Sequence, residues 1–162
     1  MKQITETEAR EWLLSKGYRP DATELGGRVE ATHDVLLSPD FTKQIFLSRL
    51  VRSLVEGGET LFAAVDIGIW PSAENKFVFE RYIGSEGLNF DLGPGVFLLA
   101  GPGDEDFLEG IVYLSILFIY GAFVARDDGN LIVGWSHDEF IYVNGDPSTC
   151  EKAFAELKGY GR

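Results

Sequence analysis

The most apolar part of the chain is a run of sixteen residues without a charge, Gly110 to Ala125. A helix that crosses a bilayer needs roughly 20 apolar residues, so this run is too short to form one. Both flanks of the run are acidic, whereas the cytoplasmic flank of a membrane-spanning helix is usually rich in Lys and Arg. We therefore expect no membrane contact and predict a fully buried helix that leads into a strand.

Length and composition predict one folded domain over residues 1–162. Hydrophobic residues make up 45% of the chain and Phe occurs twelve times, which excludes a disordered protein. Cys150 is the single cysteine, and the N-terminal residues include no apolar signal region. We therefore expect a disulfide-free protein of the bacterial cytoplasm, and composition leaves its oligomeric state open.

Capping and stop signals predict five helices. Thr5 and Glu8 form a capping-box pattern at the start of a helix over residues 6–16. Ser38-Pro39-Asp40 begins a second helix, which ends at Gly57-Gly58. The other three are a helix after Ser72 in which Phe77, Val78, Arg81 and Tyr82 have amphipathic spacing, an acidic-capped helix over residues 104–119, and a closing helix over residues 149–158 capped by Ser148.

Strand signals lie between these helices. Residues 60–70 predict a mostly buried strand interrupted by Asp66, and residues 95–100 predict a second strand between Gly-Pro turns. The later strands, at residues 122–127, 130–136 and 140–144, form a meander whose first turn is Asp128-Gly129. The sequence therefore predicts an α+β fold, with one mostly antiparallel sheet, a C-terminal meander and packed helices.

The negative charge is concentrated in residues 82–151, here called the acidic segment. This segment holds twelve of the acidic residues and one base, Arg126, and so carries −11 of the net charge of −12. Such a charge disfavours nucleic acid, whose binding depends on Lys and Arg, and favours a basic protein partner. Lys43, Arg49 and Arg52 form the one basic cluster. We interpret it as a solvated helix face, or as an internal docking or partner surface for anionic groups.

Metal and cofactor chemistry has weak support in the sequence. The two histidines and one cysteine cannot assemble a zinc site without carboxylates. Asp104, Glu105, Asp106 and Glu109 have the oxygen ligands that calcium or magnesium prefers, but their spacing matches no EF-hand loop, and a helix start explains their charge. We therefore expect no metal and no cofactor.

Two short stretches contain residue types used in acid/base catalysis, His33-Asp34 and residues 136–139 (SHDE). Neighbours along a strand point to opposite faces, so neither stretch can form a catalytic triad by itself. One interpretation gives both stretches turn and packing roles. The other is a hydrolytic site in which the fold brings His137 together with Glu139, Asp66 or Glu74.

The Trp-Pro corner at residues 70–71 departs most from a packing pattern. Trp70, Glu74 and Asn75 are predicted where a strand ends and a helix begins, a common position for a binding crevice. The stretch resembles that of a group of small uncharacterised bacterial proteins, in which W-P-S-x-E-N precedes S-H-D-E and an aromatic, here Phe140, by about sixty residues. The resemblance covers residues 60–143, departs at residues 82–86, and implies a fold but no activity.

These observations favour a non-enzymatic acidic binding protein, most concretely an immunity-type inhibitor of a basic toxin or effector. The alternatives are the small hydrolytic enzyme described above and a scaffold or assembly subunit. The residues expected to bind the partner are Asp127, Asp128, Asp138 and Glu139 around the hairpin, together with Trp70, Glu74 and Asn75.

Overall fold

The structure, a computed structural model, describes residues 1–18, 33–36, 41–67, 72–88, 95–136 and 140–158. The strands are β1 (Lys2–Gln3), β2 (His33–Leu36), β3 (Thr60–Asp66), β4 (Val96–Ala100), β5 (Gly121–Arg126), β6 (Leu131–Trp135) and β7 (Phe140–Gly145). The helices are α1 (Glu6–Ser15), α2 (Phe41–Val55), α3 (Ala73–Gly84), α4 (Glu105–Leu117) and α5 (Pro147–Lys158). The predicted α+β fold is confirmed. The predicted second-helix start at Ser38-Pro39-Asp40 lies outside the described residues.

All the strands belong to one sheet of order β1-β4-β3-β5-β6-β7-β2, and every neighbouring pair is antiparallel. The predicted C-terminal meander is confirmed as β5-β6-β7. The turn role predicted for His33-Asp34 is wrong, because these residues begin β2 and pair with Val143 and Tyr142 of β7. Backbone hydrogen bonds to a distant strand decide this placement, and no local pattern indicates them.

The sheet has a different core on each face. On one face, Phe62 and Ala64 of β3 belong to a large cluster with buried residues of α2, α3, α4 and α5. On the other face, Leu61 and Ala63 pack in a smaller cluster with Ala9 and Leu13 of α1. The two faces alternate because successive strand residues point in opposite directions.

The uncharged run forms most of α4 and leads into β5, as predicted, but the predicted full burial of the helix is wrong, because Tyr113, Leu114 and Leu117 are only partly buried. The chain turns between α4 and β5 without a glycine at the turning residue, Ile119, which is exposed. Tyr120 N–H donates to the Ser115 carbonyl at 2.8 Å, and Ile119 N–H donates to the Ile116 carbonyl at 3.1 Å. This is the Schellman pattern, which requires a left-handed residue, and Ile119 has a φ of +60°. Among the described residues, no helix combines the length and the apolarity that a membrane crossing requires.

The buried face of α3 differs from the predicted one. Phe79 and Ile83 are fully buried, whereas Phe77 is 60% exposed and Val78 is 45% exposed. Residues 77–79 are all apolar, so the hydrophobic pattern alone does not distinguish the side that faces the sheet from the side that faces solvent. The contact of Phe79 with Tyr120, at 5.3 Å between ring centroids, orients the helix.

The cap of α5 also differs from the prediction. The helix begins at Pro147, so the capping residue is Asp146 and not Ser148. The Asp146 carboxylate accepts hydrogen bonds from the N–H groups of Ser148 and Thr149, each at 3.1 Å, and from both hydroxyl groups. The hydroxyl of Ser148, followed by that of Thr149 and its N–H group, lowers the pKa of Asp146 to about 2.

Two substitutions of Asp146 distinguish the stability that comes from its N-cap hydrogen bonds from the stability that comes from its negative charge. Asp146→Ala should lower the thermal midpoint at neutral pH, whereas Asp146→Asn should retain most of it, because Asn is also a good N-cap. Since the pKa falls from 3.8 to about 2 on folding, the stability from the charge is present above pH 3.8 and is lost as the pH falls toward 2. Thermal unfolding across this range should show the advantage of the wild type over the Asn variant shrinking. A constant difference would contradict the assignment.

Tyr18 joins the end of α1 to the base of the β5–β6 hairpin. Its hydroxyl lies 2.6 Å from the carbonyl oxygen of Arg126 and 2.9 Å from that of Leu131, to which it can donate. It also accepts a 3.4 Å hydrogen bond from the Leu131 N–H. Burial raises the pKa of Tyr18 to about 12, and the charge of Asp128 contributes in the same direction.

Tyr18→Phe should lower the free energy of unfolding by about 1 kcal/mol, the usual net contribution of one hydrogen bond. Since the pKa rises from 10.0 to about 12 on folding, the stability from the neutral phenol is present below pH 10 and is lost as the pH approaches 12. Urea unfolding at intervals across that range should show a steeper alkaline loss for the wild type than for the Phe variant. Equal slopes would show that Tyr18 does not titrate as described.

Candidate functional site

One end of the sheet contains Asp66, one of the residues predicted to take part in catalysis. β3 ends at Asp66, which pairs with Gly121, and the next residue of β5, Ala122, pairs with Trp135. Trp135 also pairs with Ile141. The described residues on either side of positions 137–139 therefore lie at the end of the sheet where β3 ends. His137, Asp138 and Glu139 themselves lie outside the described residues.

The same end of the sheet contains a buried polar atom without a partner. Trp135 is 1% exposed, and its indole N–H has no hydrogen-bond acceptor among the described residues. The side-chain oxygen of Gln44, near the start of α2, is also buried without a donor there. Buried indole N–H groups usually have a partner, and the residues that the structure describes provide none for Trp135.

The start of α3 explains the polar residues that follow the Trp-Pro corner. The Ser72 hydroxyl accepts a hydrogen bond from the Asn75 N–H at 3.2 Å, which makes Ser72 the N-cap. Glu74 is exposed in the first turn, where its charge is favourable toward the helix dipole, and its carboxylate lies 3.5 Å from the Ser72 hydroxyl. Glu74 and Asn75 thus have a local structural role, while Trp70 lies outside the described residues.

The hairpin acids Asp127 and Asp128, which are predicted to bind the partner, also have contacts within the fold. The Asp127 carboxylate accepts a hydrogen bond from the Glu59 N–H at 3.2 Å. Asp128 pairs with Arg126 at 2.7 Å and accepts a 3.0 Å hydrogen bond from the Asn130 N–H. The predicted two-residue turn is also wrong, because β5 ends at Arg126 and β6 begins at Leu131.

The basic cluster on α2 docks against α4. Arg52 lies 2.9 Å from Glu109 and 2.8 Å from Asp106, and Arg49 lies 3.6 Å from Glu109. The hydrogen bond that Arg52 donates to Glu109 raises the pKa of the guanidinium. The internal docking interpretation is therefore correct for Arg52, whereas Arg49, whose side chain is 72% exposed, also fits the solvated-face interpretation.

The other acids at the start of α4 also have local partners. Asp104 lies 2.8 Å from the Met1 amino group and accepts a 2.8 Å hydrogen bond from the Gly101 N–H. Glu105 accepts a 2.9 Å hydrogen bond from the Gly103 N–H, which lowers the pKa of Glu105. In the part of the chain that the structure describes, no group of three or more His, Cys, Asp or Glu residues is arranged to hold a metal ion.

A large part of the acidic segment remains electrically unpaired. Of its twelve acids, Asp104, Asp106, Glu109 and Asp128 contact a cationic group, and Asp91, Asp138 and Glu139 lie outside the described residues. The other five form no ion pair within the described residues: Glu86, Glu105, Asp127, Asp146 and Glu151. The single base of the segment, Arg126, is already paired with Asp128.

A cleft of about 210 Å³ opens between α1 and the sheet, on the face opposite the larger core. Leu13, Phe97 and Phe123 contribute apolar lining, and the polar lining residues Glu6 and Arg10 pair with each other at 2.8 Å. Because this charged pair is already satisfied within the chain, the cleft provides no unpaired group for a reaction.

Comparisons with protein-family models, with curated proteins and with solved structures found no match to this chain. The functional interpretation therefore depends on the chain's own residues. Sequence reasoning missed three exposed apolar side chains, Phe77, Val78 and Ile119. The apolar character of all three was visible, but their exposure depends on how α3 and α4 pack.

The hydrogen bond that Asp127 accepts within the chain predicts that its replacement changes the stability of the fold, whether or not a partner is present. Asp127→Ala should lower the free energy of unfolding by about 1 kcal/mol, because the Glu59 N–H loses its acceptor. Glu151→Ala is the matched control, since Glu151 is exposed on α5 and forms no ion pair among the described residues. Urea unfolding of both variants measures the difference. Equal stability of the two would show that the Asp127 hydrogen bond contributes nothing.

Proposed function

We propose that the protein is a non-enzymatic binding protein that captures a basic protein partner, most concretely as an immunity-type inhibitor of a basic toxin or effector in the bacterial cytoplasm. The observation that carries this proposal is the uncompensated charge of the acidic segment. Five of its described acids form no ion pair among the described residues, and its one base is occupied by Asp128. A surface of this kind accelerates association with an oppositely charged protein.

The packing of α2 against α4 also supports the proposal. It brings the two arginines of α2 to Asp106 and Glu109, so these are the acids whose charge α2 neutralises by ion pairing. Arg52 forms ion pairs with Asp106 and Glu109 in the first part of α4, and Arg49 forms one with Glu109. These cations lie on α2, outside the acidic segment, and beyond their ion pairs the charge of Arg52 also acts on Glu105 and helps to lower its pKa, so Glu86, Asp127, Asp146 and Glu151 form the rest of the unpaired set. The remaining field is available to steer an incoming basic surface.

One observation favours the hydrolytic alternative. Asp66 and the strand residues on either side of positions 137–139 lie at one end of the sheet. The indole N–H of Trp135 is buried there, and it has no acceptor among the residues that the structure describes. A general acid or base needs hydrogen-bond reach to its substrate, directly or through one water. Hydrolysis of a panel of ester and phosphate substrates by the wild type, abolished in His137→Ala, would establish this alternative over the binding function.

Charge reversal tests the binding proposal with the basic protein that the wild-type chain binds in the cells that carry its gene. In stopped-flow measurements at low salt, Asp138→Lys with Glu139→Lys should slow association about tenfold and flatten its dependence on salt. These two positions are preferred over Asp127 and Asp128, whose carboxylates hold the hairpin together.

The matched control reverses two acids outside the acidic segment, Glu11→Lys and Glu56→Lys, both of which are exposed. This control changes the net charge by the same amount as the test pair. Similar slowing by both pairs would indicate a general charge effect and would remove Asp138 and Glu139 from the interface. Association that is independent of salt in the wild type would overturn the proposal itself.

A further inference from the structure

The outer side of α3 carries four exposed side chains in one row. Phe79 and Ile83 are fully buried and fix the side of the helix that faces the core. On the opposite side, residues spaced by three, four and seven positions share one face of a helix. We call this row the α3 stripe; it consists of Glu74, Phe77, Val78 and Arg81, all of which are exposed. Along the helix the stripe therefore runs from an acid, through two apolar residues, to a base.

The centre of the stripe is apolar and open to solvent. Phe77 is 60% exposed and Val78 is 45% exposed. Among the described residues, Phe77 is the most exposed of the large apolar side chains. Covering these two side chains would remove apolar area from water, which is favourable. The packing of α3 within one chain leaves that contribution to a second molecule.

The two ends of the stripe carry opposite charges that are not matched within the chain. Helix α3 contains two acids and two bases. Lys76 and Glu80 lie 3.8 Å apart and pair with each other. Glu74 and Arg81 form no ion pair within the described residues, and seven helical positions separate them by about 10 Å along the axis. One acid and one base therefore remain, at opposite ends of the same exposed face.

This order of residues is complementary to itself. A second α3 stripe can be laid antiparallel on the first, with a two-fold axis that passes between Phe77 and Val78. Phe77 of each copy then meets Val78 of the other, and Glu74 of each copy meets Arg81 of the other. The apolar side chains form the centre of the contact and the ion pairs form its rim, which is the usual anatomy of an interface. A two-fold contact of this kind closes on itself and gives a dimer.

Charge distinguishes a second copy from the other possible occupants. A basic surface would be attracted by Glu74 and repelled by Arg81, and an acidic surface would meet the reverse. A second copy matches both ends at once. The antiparallel arrangement also sets the N-terminal end of each helix beside the C-terminal end of the other, which the helix dipoles favour.

We propose that the α3 stripe is the interface of an antiparallel homodimer, an assembly that goes beyond the proposed function and does not depend on it. The net charge of −12 opposes association of two copies, but α3 itself is neutral. Physiological salt screens exposed charges that lie more than about 8 Å apart, so the local match at the stripe outweighs the distant repulsion. Because the stripe is small, the dimer is weak and forms only as the concentration rises.

Sedimentation velocity of the full chain at physiological ionic strength tests the dimer between about 1 μM and about 1 mM, the range of weak association. The chain should be monomeric at the low end and dimeric at the high end. Phe77→Ser with Val78→Ser should weaken dimerisation by about tenfold or more, as truncation at a hot spot does. Leu14→Ser is the matched control, since Leu14 is 50% exposed on α1, and it should leave dimerisation unchanged. A chain that stays monomeric throughout, or that forms larger assemblies, would overturn the proposal.

Exchange of the two charges tests the antiparallel register. Glu74→Arg brings two arginines together and Arg81→Glu brings two glutamates together, so each should weaken dimerisation by about tenfold or more. These single changes shift the net charge in opposite directions, so a general charge effect would weaken one dimer and strengthen the other. The double variant restores both pairs and should dimerise as the wild type does, which also shows that neither change unfolds the chain.

Mixing the two single variants provides a second rescue. One copy then carries only bases at positions 74 and 81 and the other carries only acids, so an equimolar mixture should form a mixed dimer. Failure of either rescue would overturn the proposed register and the interface with it.

The results also separate this inference from the proposed function. Reversal of Asp138 and Glu139 should leave the dimer unchanged. A chain that dimerises through the stripe but binds no basic partner retains this inference and loses the proposed function. A chain that stays monomeric and still binds a basic partner retains the proposed function and loses this inference.

Discussion

The burial of β3 on both faces is the constraint on which the rest of the structure depends. Leu61, Phe62, Ala63 and Ala64 are each 0% exposed, and alternate residues contribute to the two different cores. The strand lies between β4 and β5, so its backbone groups are also satisfied on both sides. Four helices are needed on one face and α1 on the other because neither apolar face can be left in water.

This arrangement determines how the protein uses its charge. With the sheet covered, the described acids of the acidic segment lie at helix starts, in turns and on helix surfaces. There Asp104 and Asp146 satisfy N–H groups that helices and turns leave open, and Asp127 accepts from the backbone beside β3. These acidic residues therefore stabilise the fold through hydrogen bonds to the backbone. An acidic side chain can be assigned to partner binding only after its hydrogen bonds within the chain are known.

The pairing of α3 with α4 shows how packing creates a surface. Phe79 and Tyr82 commit one side of α3 to Tyr120 and Phe107, which leaves Phe77 and Val78 on the outer side. The same packing requires Gly110, because the Tyr82 hydroxyl occupies the space of a side chain there. A buried contact on one side of a short helix thus determines which residues a partner can reach on the other side.

Elements with strong local signals followed from the sequence. The capping box at Thr5 and Glu8, the buried strand β3, and the uncharged run that becomes α4 and β5 depend on residues within a few positions of each other. The sequence also showed that Asp66 and Glu74 supply carboxylates of the kind that acid/base catalysis uses. It did not show their position relative to the strand residues that flank positions 137–139, because antiparallel pairing over long sequence distances determines that position.

Other features were decided by the tertiary structure alone. The docking of Arg52 on Glu109 joins residues 57 positions apart, and the hydrogen bond of Asp127 to the Glu59 N–H spans 68 positions. The left-handed conformation of Ile119 arises where α4 must turn back into the sheet, although the residue itself disfavours it. Local patterns determine whether a segment forms a helix or a strand, because the energies involved act between near neighbours. Which side of that segment is buried, and which charges it meets, depends on distant residues that only folding brings into contact.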